Sequence, residues 1–534
     1  MKLLNIKKKT ILLMSVATIV IASFSSCEKD FGNINKSWDK NVYDPTIPAL
    51  YNSLVASLLD GYGAFLTSWI YQNTQLAGMY AASGYRMDNS ASAYWNSYYT
   101  ALANSGKLVK LIEASPDVAK MTNVKAMVKT LIAYRTLQTT LIHGDMPYSE
   151  GGKAFTGSEF FRPKYDPQAD IIKAALADLK WAIDNFTSDA TQISLGGAET
   201  LFANDIPKWT KFANSARLRY AMVLVAKDAS TANTAISEAL SKPLFTPNEV
   251  AGLFPATVLN LVLDRAGWYR GNSYIRMGST MWDAMSSSAA TDGSGIYDLR
   301  CKIFFEPNKA GEWKPFPQAP LSDTPPEIGN NAENDPYDNS RITTWVVPGN
   351  YKYAPLNFYY VADKTFPMLL ITGQEISFLK AEIYTKGIGG VGANQATAKT
   401  NYEDGITASV KFWYDLANKS SIWAVNKPAA APTPLELSTM LSNPGVAFSS
   451  TPATALTQIY KQHWIALFHQ PMEGWTLARR TGYATPNVPI PSSSPGYNVY
   501  RIIYPQSELE GNYDHWKAIT GGTDSPNVKP WFMQ

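Results

Sequence analysis

The residue types best suited to metal binding or catalysis are few in this chain and poorly spaced for either task. The 534 residues contain four histidines (His143, His463, His469 and His515) and two cysteines (Cys27 and Cys301). His463 and His469 are six residues apart, so they do not share one helix face as the histidines of H-E-x-x-H do. The chain also has no Cys-x-x-Cys pair and no G-x-S-x-G nucleophile elbow. We therefore expect no catalytic zinc site and no catalytic residues.

Two further motifs have a structural explanation as well as a functional one. Gly387–Gly392, "GIGGVG", matches the dinucleotide fingerprint, but it follows a helical pattern ending near Lys386 rather than a strand. We expect it to form a helix C-cap and a loop. Glu333, Asp335 and Asp338 in "NNAENDPYDNS" could supply oxygens to a structural Ca²⁺. The same residue types are ordinary turn formers, so the calcium site remains an alternative.

The segment before Cys27 has the pattern of an export signal. Residues 1–10 carry four lysines, residues 11–24 are almost wholly apolar, and two serines lead into Cys27. The apolar run is too short to span a bilayer, and the pattern is typical of a secretory signal peptide. Cleavage before Cys27 would leave its thiol free to carry a lipid. We predict a lipoprotein signal peptide over 1–26 and a lipidated N-terminus and tether over 27–45; an incidental cysteine behind an ordinary signal peptide is the alternative.

Composition indicates an exported, aromatic-rich globular chain. Removing residues 1–26 takes away four lysines and no acid, which leaves 43 basic against 44 acidic residues. Nothing in this balance favours nucleic acid, which requires a basic patch. Hydrophobic residues are 45% of the chain, enough for a core without disulfides. Aromatic residues reach 12%, and Tyr and Trp serve both cores and wet binding surfaces because each joins an apolar face to a polar group.

Helical patterns dominate the remainder, which we interpret as a single domain over 46–534. One helix is predicted to begin at a Ser115 cap with Pro116 in its first turn, and another at an Asp166 cap with Pro167 at N1. Periodicity fades in two irregular insertions, about 243–365 and 482–534. The predicted fold class is mainly α, with helix pairs of about tetratricopeptide size that lack a clear tetratricopeptide consensus.

Six stretches in sequence order resemble the SusD/RagB family of Bacteroidetes outer-membrane lipoproteins, in particular its SusD-like branch associated with starch binding. They are "HGDMPYSEGG" (143–152), "KWTKFANSARLRYAM" (208–222), "GQEISFLKAEIY" (373–384), "YEDGITAS" (402–409), "QHWIALFHQPMEGWTLARRTGY" (462–483) and "RIIYPQSELEGN" (501–512). Each motif alone is weak, but their shared order is specific.

The resemblance implies a fold and a role. The fold is a right-handed superhelix of four tetratricopeptide-like helix pairs, with irregular loops forming the ligand face. The role is that of a surface-exposed, lipid-anchored lid over a SusC-like TonB-dependent transporter, which captures oligosaccharide without catalysis or cofactor. Glu28 and Asp30, directly behind Cys27, fit export to the cell surface. Most motif residues should then be structural: Trp209 and Phe212 in the core, and Glu375 and Glu382 in ion pairs with Arg479 and Arg480.

Exposed aromatic side chains beside hydrogen-bonding groups are the expected sugar-binding residues, because a sugar offers an apolar C–H face and a rim of hydroxyls. Trp95 lies in a helical pattern and is predicted to be core. The ligand-binding candidates come from irregular stretches: Tyr85, Arg86, Trp268, Tyr269, Tyr274, Trp282, Trp313, Trp345 and Tyr351.

The first functional hypothesis is therefore a cell-surface glycan-binding lipoprotein of the outer membrane, partnered with a transporter. The alternatives are the same scaffold binding oligopeptides, and a secreted glycoside hydrolase.

Overall fold

Helices make up most of the part of the chain that the structure describes. The computed structural model describes residues 45–59, 70–79, 91–258, 275–318, 352–420, 422, 431–483 and 499–534. The chain divides into two units, residues 1–49 and 50–534, and the contacts reported below lie within the second. The predicted signal peptide and Cys27 lie outside the described residues.

The helices and strands are numbered in chain order. The helices are α1 (Ile47–Ala56), α2 (Ile70–Asn73), α3 (Ala91–Glu113), α4 (Thr122–His143), α5 (Gln168–Asn185), α6 (Ile206–Leu224), α7 (Ala229–Leu240), α8 (Ser279–Met285), α9 (Cys301–Phe304), α10 (Phe358–Ala362), α11 (Gly373–Lys386), α12 (Gln395–Lys419), α13 (Pro434–Ser442), α14 (Pro452–Ala466), α15 (Pro471–Thr481), α16 (Gln506–Gly511) and α17 (Tyr513–Thr520). The strands are β1 (Gly78–Met79), β2 (Val250–Leu253), β3 (Ile275–Arg276) and β4 (Met368–Thr372). None of the described helices combines the length and apolar character needed to cross a bilayer.

Four successive helix pairs form the scaffold: α3 with α4, α5 with α6, α11 with α12, and α14 with α15. The pairs are joined in series because α4 also contacts α5, α6 contacts α11, and α11 contacts α14. An apolar stripe drives each contact; in α5 it consists of Ile171, Ala175 and Leu179, all fully buried. The predicted fold class, mainly α with tetratricopeptide-like pairs, is confirmed.

Two small antiparallel sheets attach the irregular segments to this scaffold. β1 pairs with β3, so that Gly78 is opposite Arg276. β2 pairs with β4 from Val250 opposite Thr372 to Leu253 opposite Met368, with a bulge after Ala251. β4 runs directly into α11, where the Thr372 hydroxyl accepts a hydrogen bond from the Glu375 amide. The irregular chain is thus fixed to the start of a scaffold helix.

The aromatic residues assigned to the core from the sequence lie in it. Trp209 and Phe212 are fully buried, with ring centroids 5.8 Å apart and nearly perpendicular planes. Trp95 is buried against His143 and Tyr504. The "GIGGVG" prediction is also confirmed, since α11 ends at Lys386 and Gly387 caps it in the left-handed region, φ 66°.

Two predicted helix starts were wrong. A 3₁₀ turn stands where the first helix was expected to begin, and a side chain distant in the sequence caps the second helix. Ser115 accepts a hydrogen bond from the Asp117 amide, a 3₁₀ turn follows over Val118–Met121, and α4 begins only at Thr122. The Asp166 carboxylate accepts bonds from the amides of Tyr148 and Ser149 instead of capping α5. Asp145, 23 residues earlier, accepts the Gln168 amide at 2.8 Å.

Arg219 forms a buried ion-pair network that connects several elements. Its guanidinium, on α6, donates to both carboxylate oxygens of Glu375 on α11 and to the Leu370 carbonyl of β4. It also donates to the Tyr134 hydroxyl of α4, and lies 3.3 Å from Glu473 of α15. Glu375 therefore pairs with Arg219 and with neither Arg479 nor Arg480, which corrects one expectation.

Glu382 pairs with Arg480, as the sequence predicted, and with Lys386. Arg479 instead stacks on Trp475 and donates to the carbonyls of Leu141 and Tyr500. Burial alone would raise the pKa of Glu382, but the charges of Arg480 and Lys386 outweigh it and lower the pKa to about 2.

The lowered pKa of Glu382 predicts acid sensitivity. Between its unfolded pKa, about 4.5, and its folded pKa, about 2, the unfolded chain binds more protons, so stability falls as the pH falls. The contribution of this group above pH 5 is about 3 kcal/mol. We expect Glu382→Gln to lower the urea midpoint at pH 7, and its difference from the wild type to shrink between pH 4.5 and pH 2.

The matched control is Glu403→Gln, which removes a more exposed ion pair with Lys399 on α12 and should have a much smaller effect. A Glu382→Gln variant whose midpoint stays parallel to that of the wild type across this pH range would contradict the assignment.

Gly373 begins α11 at a very close approach of two backbones. A Cβ atom at this position would lie 1.7 Å from the Thr246 carbonyl oxygen, and the Gly373 amide donates to the Glu249 carbonyl. Gly106, inside α3, has nothing within 4 Å of its would-be Cβ. We expect Gly373→Ala to cost about 2 kcal/mol or more and Gly106→Ala to add about 0.5–1 kcal/mol, measured by urea unfolding. Equal effects in the two variants would show that the close approach is wrong.

Candidate ligand-binding face

Residues 275–318, one of the described parts of the irregular insertion, contain two loops held side by side. The Trp313 amide donates to the Thr291 carbonyl at 2.7 Å, which ties the second loop to the first. Further along, the Phe316 amide donates to Met277, and the Ser279 amide donates to Phe316. These backbone bonds give the two loops a defined relative position without a long sheet.

Trp313 is half-buried on this surface. Its ring lies against the backbone of Gly293, where a Cβ atom would come within 2.9 Å of Cδ1 and Nε1. Gly293 has φ +83°, a conformation that glycine adopts without strain. The Trp313 side chain also packs against a cluster of buried hydrophobic residues, so the indole is held in one orientation.

Charged side chains are neighbours in the chain of the indole and of the glycine beneath it. Asp292, Glu312 and Lys314 are exposed neighbours of Gly293 or Trp313 in the chain. Hydrogen bonds from the Ser294 hydroxyl and amide lower the pKa of the Asp292 carboxyl, so it is charged at neutral pH. The Lys314 ammonium lies 5.3 Å from the Tyr353 ring centroid, and Tyr353 packs edge-on against Phe316. We call Asp292, Gly293, Glu312, Trp313 and Lys314 the Trp313 surface.

A fixed aromatic ring with exposed charged residues next to it in the chain suits a neutral ligand with an apolar face and a polar rim. Gly293 was missed as part of this surface. Gly293 could not be found from the sequence, because its role depends on a ring 20 positions away.

The structure separates the other sequence candidates. Trp282 is 3% exposed on α8 and belongs to the core, so its ring does not face solvent. The remaining ligand-binding candidates lie outside the described residues and stay predictions: Tyr85, Arg86, Trp268, Tyr269, Tyr274, Trp345 and Tyr351. The calcium candidates Glu333, Asp335 and Asp338 also lie outside them.

Most of the described histidines lie in the interior of the protein. His143 and His463 are buried, and burial lowers the pKa of each to about 3, so both are neutral at physiological pH. His143 contacts the Ile502 carbonyl through Nδ1, and His463 stacks on Phe378. Within the described ranges, no three His, Cys, Asp or Glu side chains lie together as metal ligands would.

Comparison with known proteins supports the same fold and family. Residues 39–505 match the SusD-like family whose description reads "starch-binding associating with outer membrane". No curated protein matches the sequence.

Several solved structures are similar to the chain. A chitin-binding protein has a TM-score of 0.69 at 20% identity, covering 92% of this chain and 100% of its own. A chitin-binding SusD homolog from Flavobacterium johnsoniae has a TM-score of 0.65 at 20% identity, covering 91% and 98%. A SusD/RagB family protein from Bacteroides thetaiotaomicron has a TM-score of 0.67 at 17% identity, covering 92% and 99%. At these identities the likeness establishes the fold, while the family match spans most of the sequence, and the chain therefore belongs to the SusD/RagB family.

Proposed function

We propose that this protein is a lipid-anchored glycan-binding protein of the outer-membrane surface, which captures oligosaccharide and delivers it to a SusC-like TonB-dependent transporter. The observation that carries the proposal is the match of residues 39–505 to a family described as starch-binding and outer-membrane-associated. Two of the similar structures are named as chitin-binding, which supports a carbohydrate ligand.

The Trp313 surface supplies a physical basis for sugar binding. The apolar face of a pyranose ring stacks on an indole, and the indole is already fixed by Gly293 and the core, so little side-chain freedom is lost on binding. Asp292, Glu312 and Lys314 offer acceptors and donors for the hydroxyl groups. In the sequence, residues 319–351 lie between this surface and Tyr353, and they contain the further candidate Trp345.

Binding without cleavage fits the described carboxylates. Glycosidases use two carboxyl groups on either side of the bond that is cut, and the general acid among them has a raised pKa. Burial raises the pKa of Asp145, but its carboxylate caps α5 in the scaffold. The Glu375 carboxylate is paired with the Arg219 guanidinium in the same scaffold. Neither of these groups lies in the segment that carries Trp313, which supports a binding role.

Titration calorimetry tests the glycan proposal. We expect the mature chain to release heat with one class of α- or β-linked oligosaccharide, and Trp313→Ala to weaken the affinity about 30-fold, as for a central aromatic contact. Trp181→Ala is the matched control, because Trp181 is also half-buried but lies on α5 beneath Lys125 and Lys129. Circular dichroism confirms folding of both variants.

Two results would count against the proposal. Binding of a peptide pool with no response to any glycan would replace the sugar by an oligopeptide. Release of reducing ends from a polysaccharide, abolished by a single carboxylate substitution, would make the protein a hydrolase.

The proposed anchor is tested separately by Cys27→Ser. A lipidated Cys27 should place the wild-type protein in the outer-membrane fraction, where several acyl chains hold it firmly. We expect the variant to keep its glycan affinity and to appear mainly in soluble fractions. Metabolic labelling with a fatty acid should mark the wild type and not the variant. Equal labelling of both would place the lipid elsewhere.

A further inference from the structure

An exposed cluster of aromatic and basic side chains lies between α4 and α5, away from the Trp313 surface in sequence. The connecting segment, residues 150–164, contains three phenylalanines within seven positions. We call the cluster the basic–aromatic patch; its members are Phe155, Phe160 and Phe161, with Lys107, Lys110, Lys153, Arg162 and Lys164. The fold described above gives this patch no internal role.

Close packing holds the patch in position against α3. Gly152, with φ +69°, approaches the backbone of α3 so closely that a Cβ atom would lie 2.8 Å from the Ala103 amide nitrogen. Beyond this approach, the Phe155 ring centroid lies 5.1 Å from the Lys107 ammonium and 4.9 Å from the Lys110 ammonium. The loop is therefore laid along the helix, and the patch exists before any partner binds.

The aromatic members are unusually open to solvent. Phe161 is 67% exposed and Phe155 is 44% exposed. Single exposed apolar side chains are normal on protein surfaces, but two exposed aromatic rings in one short segment that also carries several cationic side chains indicate an interaction site. Burial of these rings in a less polar medium is favourable, so the expected partner offers an apolar layer.

The charge of the patch is also uncompensated. Residues 150–164 carry three of its five cationic side chains and two carboxylates, Glu150 and Glu159. Among the described residues, none of the five forms an ion pair, whereas Lys125 and Lys129 on the neighbouring α4 each pair with a carboxylate. A partner with negative charge above an apolar layer is complementary to this combination.

The patch lies near the place where the chain enters the unit of residues 50–534. Ser53, three residues into that unit, accepts a hydrogen bond from Asn104 at 3.1 Å. Lys107 follows Asn104 by about one helical turn, or about 4.5 Å along α3. Lys107, one member of the patch, therefore lies close to the residues that begin this unit.

We propose that the basic–aromatic patch binds the anionic headgroup surface of a membrane, with Phe155 and Phe161 entering the interfacial layer. The orienting role rests on the proposed lipid anchor, but the contact itself does not need the lipid. A lipid tether fixes only one point of the protein, and a basic, aromatic patch on the folded unit supplies a second attachment that sets the orientation of the domain.

Vesicle sedimentation of residues 27–534 carrying Cys27→Ser tests this contact without the anchor. The probes are vesicles of phosphatidylcholine alone and of phosphatidylcholine with 30% phosphatidylglycerol. We expect binding to the anionic vesicles to be at least ~10-fold stronger and to be lost in high salt. Replacing Lys110, Lys153 and Arg162 by Gln should weaken it ~100-fold, about fivefold for each cation near the surface. Phe161→Ala alone should weaken it severalfold, and this exposed side chain can be removed without unfolding the protein.

Matched controls remove the same chemistry elsewhere. The cation control replaces the exposed Lys227, Lys364 and Lys529 by Gln, and the apolar control is Leu435→Ala, at a side chain that is 75% exposed. Equal binding to both vesicle types, or equal losses in patch and control variants, would overturn the proposal. Glycan titration of the same proteins separates the two hypotheses: absent vesicle binding with intact glycan binding rejects only the patch, and the reverse result rejects only the glycan function.

Discussion

The buried guanidinium of Arg219 is the interaction on which the arrangement of the scaffold depends. It joins α6 to Glu375 of α11, to the Leu370 carbonyl in the middle of β4, and to side chains of α4 and α15. A buried charge is tolerated only when it is fully paired, so each of these elements must arrive in one register. The helix pairs are apolar enough to associate in several ways, and we infer that this network selects one of them.

The same constraint positions the proposed ligand face. β4 carries the Leu370 carbonyl that Arg219 binds, and β2 pairs with β4 across the irregular insertion. Further along, the Arg300 guanidinium binds Asp298 and approaches Ser409 on α12, at the base of the loops that lead to Trp313. The irregular chain is thus anchored at buried polar contacts, and an aromatic platform can be held rigidly on loops without a sheet of its own.

Local signals were sufficient for much of the fold. Helix periodicity and the Gly387 cap predicted where α11 ends, and the i, i+3 spacing of Trp209 and Phe212 predicted a buried face. Long-range pairing was not predictable in the same way. Arg219 and Glu375 are 156 residues apart, and nothing in either segment distinguishes this pairing from the one expected with Arg479. Asp166 likewise has the residue type of a cap, but two amides of another loop compete for its carboxylate.

For the site, the sequence could identify aromatic residues but could not tell which rings face outward. Trp282 and Trp313 come from similar irregular stretches, yet one is packed inside the core and the other lies on Gly293 at the surface. The difference comes from backbone bonds between distant loops, which composition and spacing do not record.

The central claim is that ligand binds on the irregular insertion while the helix pairs act as a rigid support. Hydrogen–deuterium exchange of the mature chain with and without oligosaccharide tests it most directly, because it reports protection along the whole sequence. We expect added protection to concentrate in peptides covering 275–318 and the adjoining insertion, with α4, α6 and α11 unchanged. Protection confined to the helix pairs, with none in the insertion, would contradict it.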